Sequence, residues 1–352
     1  MSAAISILAA VVGVIMLGWI LISAVRTVVI PRPERVWLTR ITFELARRSV
    51  QLAGGRIADP RRRDQLLGMF GPAALLILPV LWSIGSMIGY ALIFWGLDYG
   101  SAVESLELSG SSLTTLGLVT ADTATIRLIA ISEGLLGLGI VALMISFIPS
   151  LYGTFSRREI AVGRFTVRAG EPPSPAEFII RLDAIGRLDH VGERWEEWEE
   201  WFVELGETHT SFPALIYFRS VRPSRSWLTA AEAALDTAAI VVATGLAPSD
   251  GQADTMIRSG YLSLRMIADF FDIDGEVADG QGEDSSGVEL SVSRRQFEAL
   301  LDDLATAGCA VPDQRDDAWK AFHGWRINYD QAVVGLAGLV GDVGSHWDTR
   351  PR

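Results

Sequence analysis

Three long apolar runs dominate the first half of the chain and limit what it can become. Ala3 to Val25 carries no charge over 23 residues, Leu66 to Leu97 none over 32, and Leu128 to Ser156 only Glu133 in 29. About 20 apolar residues in a helix cross a ~30 Å hydrocarbon core, so each run is predicted to be a transmembrane helix. The first run lacks a basic leader and is too long for a secretory signal, so it reads as retained.

Charge orients the spans. Between Arg26 and Arg63 stand ten arginines against Glu34, Glu44 and Asp59, whereas residues 98–126 hold four acids and no base. Basic loops stay in the cytoplasm, which places the N-terminus outside and everything after the third span inside. Arg157, Arg158, Arg164 and Arg168 beyond that span agree. The expectation is a multi-pass protein of the plasma (inner) membrane with the lipid bilayer as first partner. Trp82, Trp95 and Tyr99 are expected in aromatic belts, Gly85-x-x-x-Gly89 on a smooth packing face, and a kink at Pro79.

The second half is different material. From Glu171 onward there are 32 acids against 14 arginines and one lysine, a net of −17, which excludes a nucleic-acid partner. Cys309 is the sole cysteine, so no internal disulfide or cysteine metal site forms. The divisions are 1–30, an N-terminal span; 31–65, a basic cytoplasmic loop; 66–156, a membrane module; and 157–352, an acidic helical cytoplasmic domain.

Between the second and third runs, Ser101 and Glu104 form an S-x-x-E capping box, which predicts a helix from Ala102 to about Leu113. It is too short to span, but long enough to enter a bilayer halfway. Irregular backbone can follow it there only if buried in protein or lining a water path. Thr114-Thr115-Leu116-Gly117-Leu118-Val119-Thr120 comes next. The plainer alternative is an outer loop with no such role.

On these residues the stretch from Leu66 to Ser156 resembles the potassium channel family, specifically bacterial members with one outer helix, one pore loop and one inner helix per chain. The family filter is T-V-G-Y-G preceded by Ser or Thr. Thr114, Thr115, Leu116 and Gly117 match in kind, Leu118 replaces the aromatic, Val119 the second glycine and Thr120 the following acid. The resemblance implies an all-α membrane protein: three transmembrane helices, a re-entrant pore helix and filter between the second and third, and an all-α cytoplasmic C-terminal domain. It further implies a homotetramer, K+ or another monovalent cation as permeant ion with no other cofactor, no enzymatic activity, and a gating hinge at Gly139, 22 residues beyond Gly117. Pro149 is a second candidate bend.

Filter carbonyls in a row need left-handed backbone, which glycine adopts freely and a β-branched residue only at about 1–2 kcal/mol. Val119 is therefore expected to leave the pore axis one residue early, shortening the filter. A potassium path with fewer sites, a weakly selective cation path and a non-conducting pore all remain open. The rival function is a non-conducting sensor or scaffold that keeps the fold and binds a cytoplasmic ligand or protein.

Glu133, ionisable inside a span, needs protein, water or the interface around it. It either braces the short helix through Ser109, Ser111 or Ser112, with Ser101 and Glu104 as the cap that supports that helix, or snorkels outward. Asp98, Glu104, Glu107 and Asp122 are placed to surround an outer mouth and attract cations.

In the cytoplasmic half Leu188, Val191, Trp195, Trp198, Phe202 and Leu205 are spaced 3-4-3-4-3, the core face of a globular helix rather than a long coiled coil. Further helices are predicted near 225–245, 251–271, 293–307 and 313–340. Ser226 to Leu246 is apolar enough for a fourth span, but Glu232 and Asp236 argue against it. Gly137-x-Gly139 and Gly280-x-Gly282 follow no strand, so no dinucleotide fingerprint exists. Asp272 to Asp284 reads as a solvated acidic loop, and His190, His209, His323 and His346 lack zinc spacing.

Overall fold

The structure, a computed structural model, describes residues 3–28, 70–220, 222, 225–248, 251–273, 290–341, 345 and 347. The basic loop 31–65, the Gly280-x-Gly282 pair, most of the acidic stretch and His346 lie outside these residues. Every regular element among the described residues is helical. They are α1 (Ala3–Val28), α2 (Phe70–Gly96), α3 (Ala102–Leu113), α4 (Ala124–Ala169), α5 (Pro175–Ala184), α6 (Gly192–Ser211), α7 (Trp227–Thr244), α8 (Gln252–Phe270), α9 (Arg294–Thr306), α10 (Arg315–Arg326) and α11 (Asp330–Val340). Short 3-10 turns occupy Leu188–His190 and Pro213–Tyr217. The chain divides into two compact units, residues 1–153 and 154–352.

Among the described residues four helices are long and apolar enough to cross a membrane: α1, α2, α4 and α7. Their surroundings differ. In α1, α2 and α4 only 22%, 39% and 17% of the most apolar window is buried within the chain, against 89% in α7. The first three thus leave broad apolar faces to a surrounding phase, such as Ile7, Leu8 and Ile15 on α1 and Leu76 on α2.

In the first unit α1 packs along α2 through small residues, the route by which apolar helices approach closely. A Cβ on Gly13 would lie 2.5 Å from the Gly89 carbonyl oxygen, and one on Gly96 would lie 2.5 Å from that of Ser6. Gly85 and Gly89 do form a packing face, and Ile20 and Leu17 of α1 fill it. Trp82 corrects an expectation. It is fully buried against α1, its indole nitrogen donating to Ser23 Oγ at 3.3 Å, and so belongs to no exposed aromatic belt. It sits midway along α2, where the glycine face brings α1 close enough to cover it. Tyr99 is half-buried against Phe94. Pro79 lies inside α2, which the structure assigns as one unbroken helix.

The second unit has one contiguous core. Trp195, Trp198, Phe202 and Leu205 of α6 are buried in it with Phe165, Phe178, Leu264 and Phe297, as a globular core face requires. Leu188 and Val191, the first residues of the seam, fall in the preceding 3-10 turn and its cap. The helix expected over 313–340 is two helices, α10 and α11, broken at 327–329 where Tyr329 turns fully into the core.

The α7 carboxylates explain how so apolar a helix sits in this core. Arg326, fully buried, donates Nη1 to both oxygens of Asp236 at 2.9 and 2.8 Å, Nη2 to Glu232 at 2.8 Å and Nε to Asp330 at 2.7 Å. Tyr329 and Trp347 complete Asp236 at 2.7 and 2.8 Å. Burial alone would lower the Arg326 guanidinium, but Asp236, Glu232 and Asp330 outweigh it and hold the group well above its usual value.

Candidate functional site

The site is the segment from Ser101 to Thr120 with the parts of α2 and α4 that hold it. Ser101 Oγ accepts from the Glu104 amide at 3.2 Å and the Glu104 carboxylate accepts from the Ser101 amide at 2.6 Å, a complete capping box. Two of the orphan donors at a helix start are satisfied this way, and α3 begins at Ala102. Leu108 is buried among Tyr90, Phe94, Ala121 and Ile126.

The other end of α3 uses a feature that residue types did not announce. Thr115 is left-handed, φ +57°, its amide bonding to the Ser112 carbonyl and that of Leu116 to the Ser111 carbonyl, both at 3.0 Å. This is a Schellman turn, normally closed by glycine. Gly117 follows at φ +68°. The left-handed residues are thus Thr115 and Gly117, and Val119 is not among them. Instead Ser111 draws Val119 back, accepting from its amide at 3.0 Å. Thr114 to Leu118 are exposed, Leu116 by 66% and Leu118 by 79%. Leu118 is the most exposed large apolar side chain among the described residues.

Helix α4 supports α3 from behind at two glycines. A Cβ on Gly137 would lie 2.1 Å from the Leu113 carbonyl oxygen, and one on Gly134 would lie 3.2 Å from that of Ser112. Ser109 Oγ bonds the carboxylate of Glu133 and lies 2.8 Å from the Met87 carbonyl oxygen. Of the three serines considered for Glu133, the structure brings Ser109 to it and turns Ser111 toward the loop. Glu133 Oε2 and the hydroxyls of Ser86 and Ser105 are buried without a hydrogen-bond partner. Tyr90 and Ser132 meet at 3.1 Å, and since Ser132 donates to the Ile129 carbonyl, Tyr90 is the donor between them.

Gly139 lies within α4 with open space where a Cβ would stand, and Pro149 lies farther along the same helix. Pro149 and Pro79 flank an open apolar groove of about 620 Å³ between α2 and α4, lined also by Ile84, Val141, Met144 and Ile148. Asp98, Glu104, Glu107 and Asp122 are all exposed. Among the described residues no group of His, Cys, Asp and Glu is arranged to hold a metal ion.

The fold and site define an all-helical protein with apolar helices of membrane-spanning length. No protein family, no curated protein and no solved structure matches the chain.

Proposed function

We propose that the chain is one subunit of a homotetrameric, potassium-channel-like cation channel in the inner membrane, with α2 as outer helix, α3 as re-entrant pore helix and α4 as inner helix. Thr114, Thr115, Leu116, Gly117, Leu118 and Val119 then form a quarter of the filter, their carbonyls replacing the hydration shell of a monovalent cation, K+ by preference. The reading rests chiefly on one observation. A capped twelve-residue helix between two apolar helices ends in left-handed Thr115 and Gly117, with Leu116 and Leu118 uncovered in a single copy. Four-fold closure would cover them. The Ser111 tether on Val119 supports a filter that ends early, and the exposed acids Asp98, Glu104 and Glu107 before or early in α3, with Asp122 beyond the loop, favour cations at its mouth.

The test is flux. Full-length protein in potassium-loaded vesicles is expected to take up rubidium or thallium, with excess potassium competing better than sodium. Gly117→Ala, which places a side chain at φ +68°, is expected to abolish uptake while leaving the tetramer intact. Intact tetramers that pass no ion would replace this reading with the scaffold, and a monomer would remove both the channel and the four-fold argument.

A further inference from the structure

Hydrogen counting at Ser109 constrains Glu133 in a way conduction does not require. A serine hydroxyl carries one hydrogen, and a main-chain carbonyl can only accept. Ser109 Oγ nevertheless lies 2.8 Å from the Met87 oxygen and in hydrogen-bond contact with Glu133 Oε1. If Ser109 gives its hydrogen to an ionised Glu133, its oxygen and that of Met87 face each other as two bare acceptors. One hydrogen shared between two acceptors serves each poorly, and each contact has a hydrogen of its own only when Glu133 supplies one.

We propose that Glu133 is a proton-binding site within the membrane unit: as the neutral acid it donates to Ser109 Oγ, which donates to the Met87 carbonyl, so that one bound proton links α4, α3 and α2. The surroundings agree. Glu133 is fully buried, its second oxygen has no hydrogen-bond partner, and it makes no ion pair among the described residues. From α2 the titratable group facing it is Tyr90, whose hydrogen is committed to Ser132. From α3 it meets Ser109, whereas Glu104 and Glu107 are exposed. Arg127, the nearest base in sequence on its own helix, is also exposed, and Arg26, the one ionisable residue of α1, stands in that helix's last turn. A carboxylate with one donor and no cation is costly in such a place, and the neutral acid much less so. Ion passage is no premise of this site.

Infrared spectroscopy of the full chain in lipid vesicles at neutral pH tests it, using protein labelled with carbon-13 at the glutamate side-chain carboxyl. The expected result is a carboxylic-acid carbonyl band that the label shifts, that Glu133→Gln removes and that Ser109→Ala moves to higher frequency by deleting its acceptor. A spectrum in which glutamate contributes only ionised carboxylate bands overturns the proposal. So does an acid band that Ser109→Ala leaves unmoved, a result readable even where Glu133→Gln does not fold. No ion movement is measured, so a chain that fails the flux test can still pass this one.

Discussion

Arg326 and Asp236, ninety residues apart in sequence, meet with both carboxylate oxygens within 2.9 Å of one guanidinium nitrogen, both side chains fully buried. Glu232 and Asp330 share the same arginine. Removing one member of such a network strands the others, typically at about 3–5 kcal/mol, while replacing the whole set by apolar residues costs far less. Arg326→Met should therefore lower the thermal midpoint of the full chain sharply, followed by circular dichroism in detergent. Replacing Arg326, Asp236, Glu232 and Asp330 together by Met, Asn, Gln and Asn, which removes every charge of the network, should recover part of the loss. A single variant as stable as the parent would show that the network carries no weight.

Thr115 occupies a position that chemistry assigns to glycine. Its left-handed backbone should cost about 1–2 kcal/mol, which Thr115→Gly would relieve. The substitution should raise the midpoint of the first unit's unfolding. If the filter reading holds, it should also change ion selectivity, because the same residue contributes its carbonyl there. Lower stability would mean that the Thr115 side chain makes a contact worth more than the strain.

Gly137 and Gly139 lie two residues apart on α4 and should respond oppositely. A Cβ at Gly137 meets the Leu113 carbonyl at 2.1 Å, so Gly137→Ala must push α3 off α4, disturbing the Ser109–Glu133 link as it does so. Gly139→Ala meets nothing and removes a helix-weakening glycine, a gain of up to about 1 kcal/mol. Paired denaturation curves decide it. Equal effects would show that α3 tolerates displacement.

How much of this was legible follows from distance along the chain. The capping box is local, and Ser101 and Glu104 announce α3 to within its observed bounds. Helix periodicity likewise marks the buried face of α6. The Schellman turn at Thr115 lacks the glycine that normally signals it, and the tight Gly137 contact looks in sequence like any glycine in an apolar helix. Trp82 was misplaced because its cover comes from α1, far away in sequence. For α7, composition alone permits a membrane span. The answer to Glu232 and Asp236 lies in Arg326, which stands in another helix with no local signal.

His209 predicts how the second unit responds to acid. Its Nδ1 donates to the Leu205 carbonyl at 2.9 Å, leaving Nε2 to accept from Arg158 at 3.2 Å. Burial first, and then the Arg158 charge, lower its pKa from 6.5 to about 3. A depressed histidine stays neutral in the fold while the unfolded chain takes up a proton below pH 6.5. Stability is therefore full above that value and falls with pH down to about 3, by at most ~1.4 kcal/mol per pH unit from this group. His209→Gln, which can still bond both neighbours, should flatten the dependence between pH 6.5 and pH 4 without abolishing the fold. Urea midpoints measured across that range on parent and variant check it: parallel curves would assign the acid sensitivity to the carboxylates instead.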